Sequence, residues 1–427
     1  MAFLKRDNND TEPDGSLFEF DEESNAYAED IDQGHKVDPR AQVVFVMGVC
    51  LVVLYFVSYL LPSNVGDAIF GIALIQDHTY TFSEFVGQIQ SNVTAMVAIF
   101  SGNGDSVARG YTTELFKLIV VCLAGAGLAL TGAIYQGAFK NALVSPSTLG
   151  VMTGASFGTM MWVVLFGGDL ALGSWMAGNW SEEVVQAKGG MFGFLAETYG
   201  PALVSFCGCL VVVGLVLLVV KLSNGGTSAI VLIISGQMIA GVLGAISSAI
   251  TYYYTETDPY GRIAEMLQNL QVASFWRVFT LFDIVALLVP LGITFAVVMA
   301  LRQKMMMLSL DEAEQRTLGV DTKRVRFAVV ALCTLLTAIV VSFCGVVGFV
   351  GFMVPHLARR MVGPNFKYLL PASTVLGAIF VLGAYTLVDF VYSDLDQMVG
   401  MFISMGGAVV FLVTAIRGKG VSLGGFR

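Results

Sequence analysis

Ten apolar stretches follow one another along the chain, near residues 42–61, 114–136, 147–167, 199–221, 228–251, 278–301, 326–345, 348–362, 368–390 and 397–416. Most approach the roughly 20 residues with which a helix, rising 1.5 Å per residue, crosses a ~30 Å hydrocarbon core. The composition agrees: 56% of residues are hydrophobic and 13% charged, where a soluble domain is about 25% charged. These features predict an all-α polytopic membrane protein, with residues 41–427 as one transmembrane domain.

Two stretches stand apart. The eighth, inside Gly345 to Lys367, is too short to cross untilted; it holds Pro355 near its middle and then His356, Arg359 and Arg360. The third also opens on a proline, Pro146. Short segments marked by Gly and Pro, in matching places of two halves of a membrane protein, point to a substrate pathway.

The first forty residues are different in kind. They hold twelve acids and four bases, most of the chain's net charge of −9. Such a segment cannot bury enough apolar surface to fold alone. It reads as a disordered, solvating tail or as a docking arm with Leu17, Phe18 and Phe20 as its only apolar foothold; no cleavable signal peptide is visible in it. Beyond residue 40, counting from an inward N-terminus, the inner loops and span ends hold fourteen of nineteen bases, and fifteen of twenty acids fall outside. This bias sets both termini in the cytoplasm and supports an even number of spans.

The six cysteines lie in or beside apolar stretches and read as small core residues. Gly150, Gly154 and Gly158 repeat every four residues, a face that lets helices approach closely, and Gly236, Gly241 and Gly244 suggest similar packing in the fifth stretch. No stretch has an ionisable residue near its centre, where a proton- or sodium-driven transporter commonly keeps one. No phosphate-binding GxxxxGK[ST] loop occurs and no hydrolase motif falls in a stretch. A pump built on this chain draws its energy from another subunit.

The link over residues 308–320 shows where that energy could enter. Ser309 and Glu312 form a capping-box pattern, Glu312 and Arg316 a favourable i,i+4 pair, Leu310, Ala313 and Thr317 share a helical face with Leu318 beside them, and Gly319 suits the C′ position. The reading is a short capped helix between two spans, either an ordinary connection or a docking element.

Three motifs resemble the permease subunit of type II ABC importers, the FecCD-type family of iron–siderophore, haem and cobalamin uptake. Gly132, Gln136, Asn141, Leu143, Pro146, Leu149, Gly150, Gly154 and Ala155 match the first. Gly345, Gly348, Phe349, Val350, Gly351, Pro355, His356, Arg359 and Gly363 match the second. Leu310, Glu312, Leu318 and Gly319 match the coupling segment, where Asp311 replaces a glycine and Gln315 an alanine. The resemblance runs from about residue 42 to 417. It implies a BtuC-like permease fold of about ten helices with inverted repeats, in the bacterial cytoplasmic membrane. It also implies a second permease subunit, identical or related, two ATP-binding subunits, and an external substrate-binding protein. No cofactor, metal or nucleic acid is implied, and catalysis of ATP hydrolysis belongs to the separate chain. An iron chelate is the expected cargo, with haem and cobalamin as alternatives; a non-transporting structural or regulatory membrane protein is the other class.

Residue roles follow as expectations. Leu310 to Gly319, with Asp311, Glu312, Ala313, Arg316 and Leu318, would seat in the ATPase. Gln136, Ser156, Gln237 and Ser247 would line the route. Asn141 with Lys140 would close the turn between the second and third spans. His356 reads as a packing or capping residue or, without a second ligand at suitable spacing, a metal ligand; Arg359 and Arg360 read as inner-end anchors or substrate contacts. The family's receiving arginines are missing before the second span and after Asp389. The outer acids Asp105, Glu182, Glu183, Asp394 and Asp396 are therefore the expected docking residues for the binding protein.

Overall fold

The computed structural model describes residues 38–61, 82–100, 106–166, 190–222, 229–257, 262–272, 275, 278–308, 322–391 and 399–417. Within them the chain forms thirteen helices. In order they are α1 (Pro39–Leu60), α2 (Phe82–Phe100), α3 (Ser106–Ala138), α4 (Val151–Phe166), α5 (Gly190–Leu222), α6 (Ala229–Thr257) and α7 (Arg262–Gln271). Then come α8 (Leu281–Ala300), α9 (Arg302–Met307), α10 (Thr322–Cys344), α11 (Val350–Val362), α12 (Phe366–Val391) and α13 (Val399–Arg417). Each of the ten apolar stretches is a helix: α1, α3 to α6, α8 and α10 to α13. Seven are long and apolar enough to cross a membrane, and α4 and α13 contain shorter apolar runs. At 13 residues, α11 is about 20 Å long.

Caps explain several boundaries. Pro39 begins α1, where its missing N–H costs nothing, and the Asp38 carboxylate accepts from the Arg40 N–H at 2.9 Å. At the start of α8 the Thr280 N–H donates to Asp283 Oδ2 at 2.8 Å, which accounts for the burial of Asp283. Between α10 and α11 the chain turns through Gly345 at φ +70° and Phe349 at φ +62°. The turn at Gly345 is so tight that a Cβ there would lie 2.7 Å from the Asn269 carbonyl oxygen.

The core is organised around α3, which packs against α12, α11, α10 and α8. A second assembly joins α4 to α5, α6 and α10. Short α4 leans on long α5 much as short α11 leans on long α12. The Gly154 and Gly158 face meets Gly208, Val204 and Ser205 of α5, so that periodicity is α4–α5 packing.

Several expectations need correction. α2 and α7 were not anticipated; both are amphipathic, with polar residues that dilute a hydropathy signal. The third span begins at Val151 and not at 147, because Pro146 to Gly150 form a turn. Gly241 and Gly244 meet nothing within 4 Å, unlike Gly236, because their side of α6 faces away from the protomer. Cys50 and Cys207 likewise lie on outward surfaces, whereas Cys209, Cys333 and Cys344 are buried.

The bundle has a basic end and an acidic end. Gly363 lies beside the Arg40 guanidinium and Gly137 against the Phe366 ring, so the starts of α1 and α12 and the ends of α3 and α11 share one end. Arg40, Lys140, Lys221, Arg302, Lys304, Arg324, Arg326, Arg359, Arg360 and Lys367 cluster there by their positions in the helices. Among the described residues Asp38 is the only acid at that end; Glu84, Glu114, Glu256, Glu265, Asp283 and Asp389 belong to the other.

Candidate functional site

The two Pro-marked motifs meet at the basic end. Gly132 of α3 lies against the Gly351 carbonyl of α11. One turn later on α3, fully buried Gln136 bridges the same two helices. Its Nε2 donates to the Phe352 carbonyl at 3.0 Å, and its Oε1 accepts from Arg359 Nη2 at 3.1 Å. The Arg359 charge also sits in the last turn of α11, where a cation complements the helix dipole.

α3 then ends in a left-handed cap. Lys140 stands at φ +53°; its N–H donates to the Gly137 carbonyl at 3.3 Å, and the Asn141 N–H donates to the Gln136 carbonyl at 3.1 Å. These are the paired bonds of a Schellman ending. The Asn141 side chain accepts from the Leu143 N–H at 2.9 Å, and Thr148 Oγ1 accepts from the Ser145 N–H at 2.8 Å. Gly150, at φ +71°, admits the chain to α4 close against the Gly236 carbonyl. Gln237 of α6 reaches over this turn, donating from Nε2 to the Ser147 and Thr148 carbonyls, each at 3.1 Å.

The four expected route residues are placed differently from one another. Gln136, Ser156 and Ser247 are buried within the protomer. Ser156 Oγ donates to the Leu270 carbonyl at 2.7 Å, holding the end of α7 to α4. Only Gln237 is exposed. It starts a surface on α6 that continues through Gly241, Gly244, Ala245 and Ser248, at helical spacing on one face. This face contrasts with the bare surfaces of α5, which shows Leu210, Val211, Leu217 and Leu218, and of α8, which shows Leu281, Phe282, Leu288 and Val289. Large aliphatic side chains suit lipid; a strip of Gly, Ala, Ser and Gln suits a close partner or a wet passage.

At the far end of α6, α7 folds back. Gln271 Nε2 donates to Thr251 Oγ1 of α6 at 2.8 Å. The spacing of Ile263, Met266, Leu267 and Leu270 on α7, and of Phe85, Ile89, Asn92 and Met96 on α2, is the sequence signal that would have found both helices. Asn92 Nδ2 donates to the Tyr59 carbonyl at 3.3 Å and so caps the end of α1.

Back at the basic end, α9 leads toward the expected coupling segment. Met305 and Leu308 are fully buried, and α9 packs against α8, α10, α12 and α3. Residues 310 to 319 lie outside the described residues, as do Asp105, Glu182, Glu183, Asp394 and Asp396 and the acidic tail. His356 is half-buried one turn before Arg359, while Arg360 is exposed. Asp38 was not anticipated as a contact. The Tyr368 hydroxyl and the Arg40 N–H, both bonded to it, hold its carboxyl below the ordinary carboxylate range.

Comparisons with known proteins agree with this architecture. The sequence pattern of the FecCD transport family matches residues 75–417. The molybdate import system permease protein MolB of Haemophilus influenzae is 28% identical over 368 residues, covering 84% of this chain and 98% of that one. The cobalamin import system permease protein BtuC of Halobacterium salinarum is 28% identical over 306 residues, covering 70% and 71%. The Fe(3+)-citrate import system permease protein YfmE of Bacillus subtilis is 29% identical over 305 residues, covering 70% and 79%. A transporter described as of the metal-chelate ABC type, solved in an inward-facing conformation, shares the fold with a TM-score of 0.63 at 23% identity, covering 88% of this chain and 99% of that one. A family match over most of the chain, in a range that includes the Gln136–Arg359 junction, places this protein: it belongs to the FecCD transport family of ABC importer permeases.

Proposed function

We propose that this permease carries a metal chelate inward across the cytoplasmic membrane, with a ferric siderophore as the first candidate cargo. It does so beside a second permease subunit, powered by two ATP-binding subunits and fed by an external binding protein. The observation that carries this reading is the Gln237–Ser248 strip of α6. It is bare, small and uncharged in the protomer, the surface needed where two subunits leave a passage for a bulky cargo that must not stick. The buried Gln136, Ser156 and Ser247 hold the walls of that passage in register and do not line it. The basic end faces the cytoplasm, as the positive-inside bias requires, and the coupling segment 310–319 projects there toward the ATPase. The acidic end faces the binding protein.

The iron assignment is supported by the Fe(3+)-citrate permease among the relatives. Cobalamin is the second reading, favoured by the Halobacterium salinarum relative; haem is a third cargo of similar bulk. Uptake into vesicles holding the assembled transporter, measured in parallel for a ferric siderophore, ferric citrate, haem, cobalamin and molybdate, decides among them. ATP-dependent uptake of the siderophore alone is the expected result; uptake of only molybdate would overturn the chelate reading. Cysteines at Gln237, Gly241 and Ser248 are expected to react with a water-soluble thiol reagent in at least one transport state, and uniform protection would remove the strip from the route.

A further inference from the structure

We propose that the acidic N-terminal segment, residues 1–37, docks back onto the basic end of its own chain, over the patch where the start of α1, the end of α11 and the start of α12 meet. The segment carries eleven acids and three bases. It joins the folded body at Asp38, inside that patch. Arg40, Arg360 and Lys367 are exposed there. The Arg40 guanidinium stands at Gly363, where an added Cβ would come within 3.9 Å of its Cζ, and Lys367 Nζ lies 5.1 Å from the centroid of the Tyr368 ring.

Asp38 already makes the kind of contact that the rest of the segment would extend. Its carboxylate accepts from the Tyr368 hydroxyl and from the Arg40 N–H, with the Arg40 and Lys367 charges close enough to stabilise it. Among the described residues no other acid stands at the start of α1, the end of α11 or the start of α12, beside Arg40, Arg360 and Lys367. The donors and the acids are thus on one chain, adjacent, and opposite in sign.

Tethering makes weak contacts count. One exposed ion pair is worth about 0–1 kcal/mol. Attachment to the same chain, however, holds the segment at an effective concentration of about the millimolar range. At no more than about 3.3–3.6 Å per residue, the thirty-seven residues preceding Asp38 are long enough to reach across that end of the protomer. Several simultaneous carboxylate contacts at that concentration compete with free anions. The inference does not depend on the importer reading: it needs only the chain's own charges and the position of Asp38.

Carbodiimide coupling of the full-length protein in nanodiscs of zwitterionic lipid tests it, because that reagent joins carboxylates only to amines already beside them. Amide-linked peptides between the acids of residues 19–32 and Lys367 of the same chain are expected. Their yield should fall about fivefold or more between about 20 mM and about 500 mM salt, where the screening length shrinks from roughly 20 Å to about 4 Å. It should also fall several-fold in the double variant Arg40→Gln, Arg360→Gln, whose altered side chains are exposed and leave the packed body intact. Absence of these peptides at low salt, equal yield in the double variant, or coupling only between separate chains would overturn the proposal. So would protection of Lys367 from acetylation by anionic lipid discs with no tail coupling in zwitterionic ones, since the patch would then be a headgroup site.

Discussion

The carbonyl of Gly351 occupies the place where a Cβ on Gly132 would stand. Pro355, four residues on, has no N–H to offer that carbonyl, so the oxygen is released from the helical ladder and turned toward α3. Two glycines and a proline of separate motifs therefore form one helix crossing. Gly132→Ala is expected to force α3 and α11 apart at a cost of about 1–3 kcal/mol, the range for overpacking a close-packed core. Thermal unfolding of the purified protein measures it. Gly241→Ala, at a position with nothing within 4 Å, should leave the midpoint unchanged.

Gln136 joins the same helices by hydrogen bonds. Gln136→Leu keeps the volume but removes the acceptor for Arg359 and the donor for Phe352. A hydrogen bond to a charged group is worth about 1.5–3 kcal/mol, and a loss of that size is expected. Gln136→Glu retains the Arg359 contact and should lose less. Paired melting curves of the two variants provide the comparison.

Coupling is tested at residue 313. If residues 310 to 319 form the helix that seats in the ATPase, Ala313→Pro breaks it at about 3 kcal/mol or more. The assembled variant should hydrolyse ATP without transporting. Normal uptake by a well-expressed Ala313→Pro transporter would refute the assignment.

The acids Glu182 and Glu183, expected on the outer side, give a prediction about association. If Glu182 and Glu183 receive a binding protein through basic or neutral hydrogen-bonding groups, reversing both to lysine should slow its association. Raising salt should slow docking in the parent without much changing the lifetime of the complex, because rim charges act chiefly on the on-rate. Association kinetics measured by surface capture would show either the slowing or its absence, and an unchanged or faster on-rate discards the assignment.

Asp38 sets a pH dependence with a definite sign. Its folded pKa lies below the ordinary 3.8, so the folded state favours the carboxylate. Its contribution is present above that ordinary value and is lost as pH falls through the lower folded value. Between pH 6 and pH 3 the parent should lose more thermal stability than Asp38→Asn, which has no carboxylate to protonate. Parallel melts at the two pH values make the comparison.

Much of this arrangement was legible in the residues. Ten apolar runs became ten helices because burial in lipid tolerates little else, and the brevity of α11 could be counted directly. The Gly150, Gly154 and Gly158 spacing announced a close helix contact, but not its partner. The same kind of spacing at Gly241 and Gly244 misled, since a small-residue face serves equally to pack within a chain and to meet something outside it. Gln136, Ser156 and Ser247 look alike as uncharged polar residues in apolar runs. Only their surroundings reveal that each is buried inside the protomer, while Gln237, though bonded to the Ser147 and Thr148 carbonyls, stays exposed. α2 and α7 escaped notice because a hydropathy window averages over both faces of an amphipathic helix, where the information lies in the phase.

Leu308 gives the expected coupling segment a consequence of its own. Leu308 is fully buried, as is Met305 one turn earlier, so if residues 310–319 seat in the ATPase, the point from which they depart is fixed in the core. A pull transmitted to Leu308 would then load α3, α10 and α12, against which α9 packs. On that assignment, lengthening the attachment by glycines inserted after Leu308 would introduce play into the linkage: the stroke of an ATPase seated there would be spent before the bundle felt it.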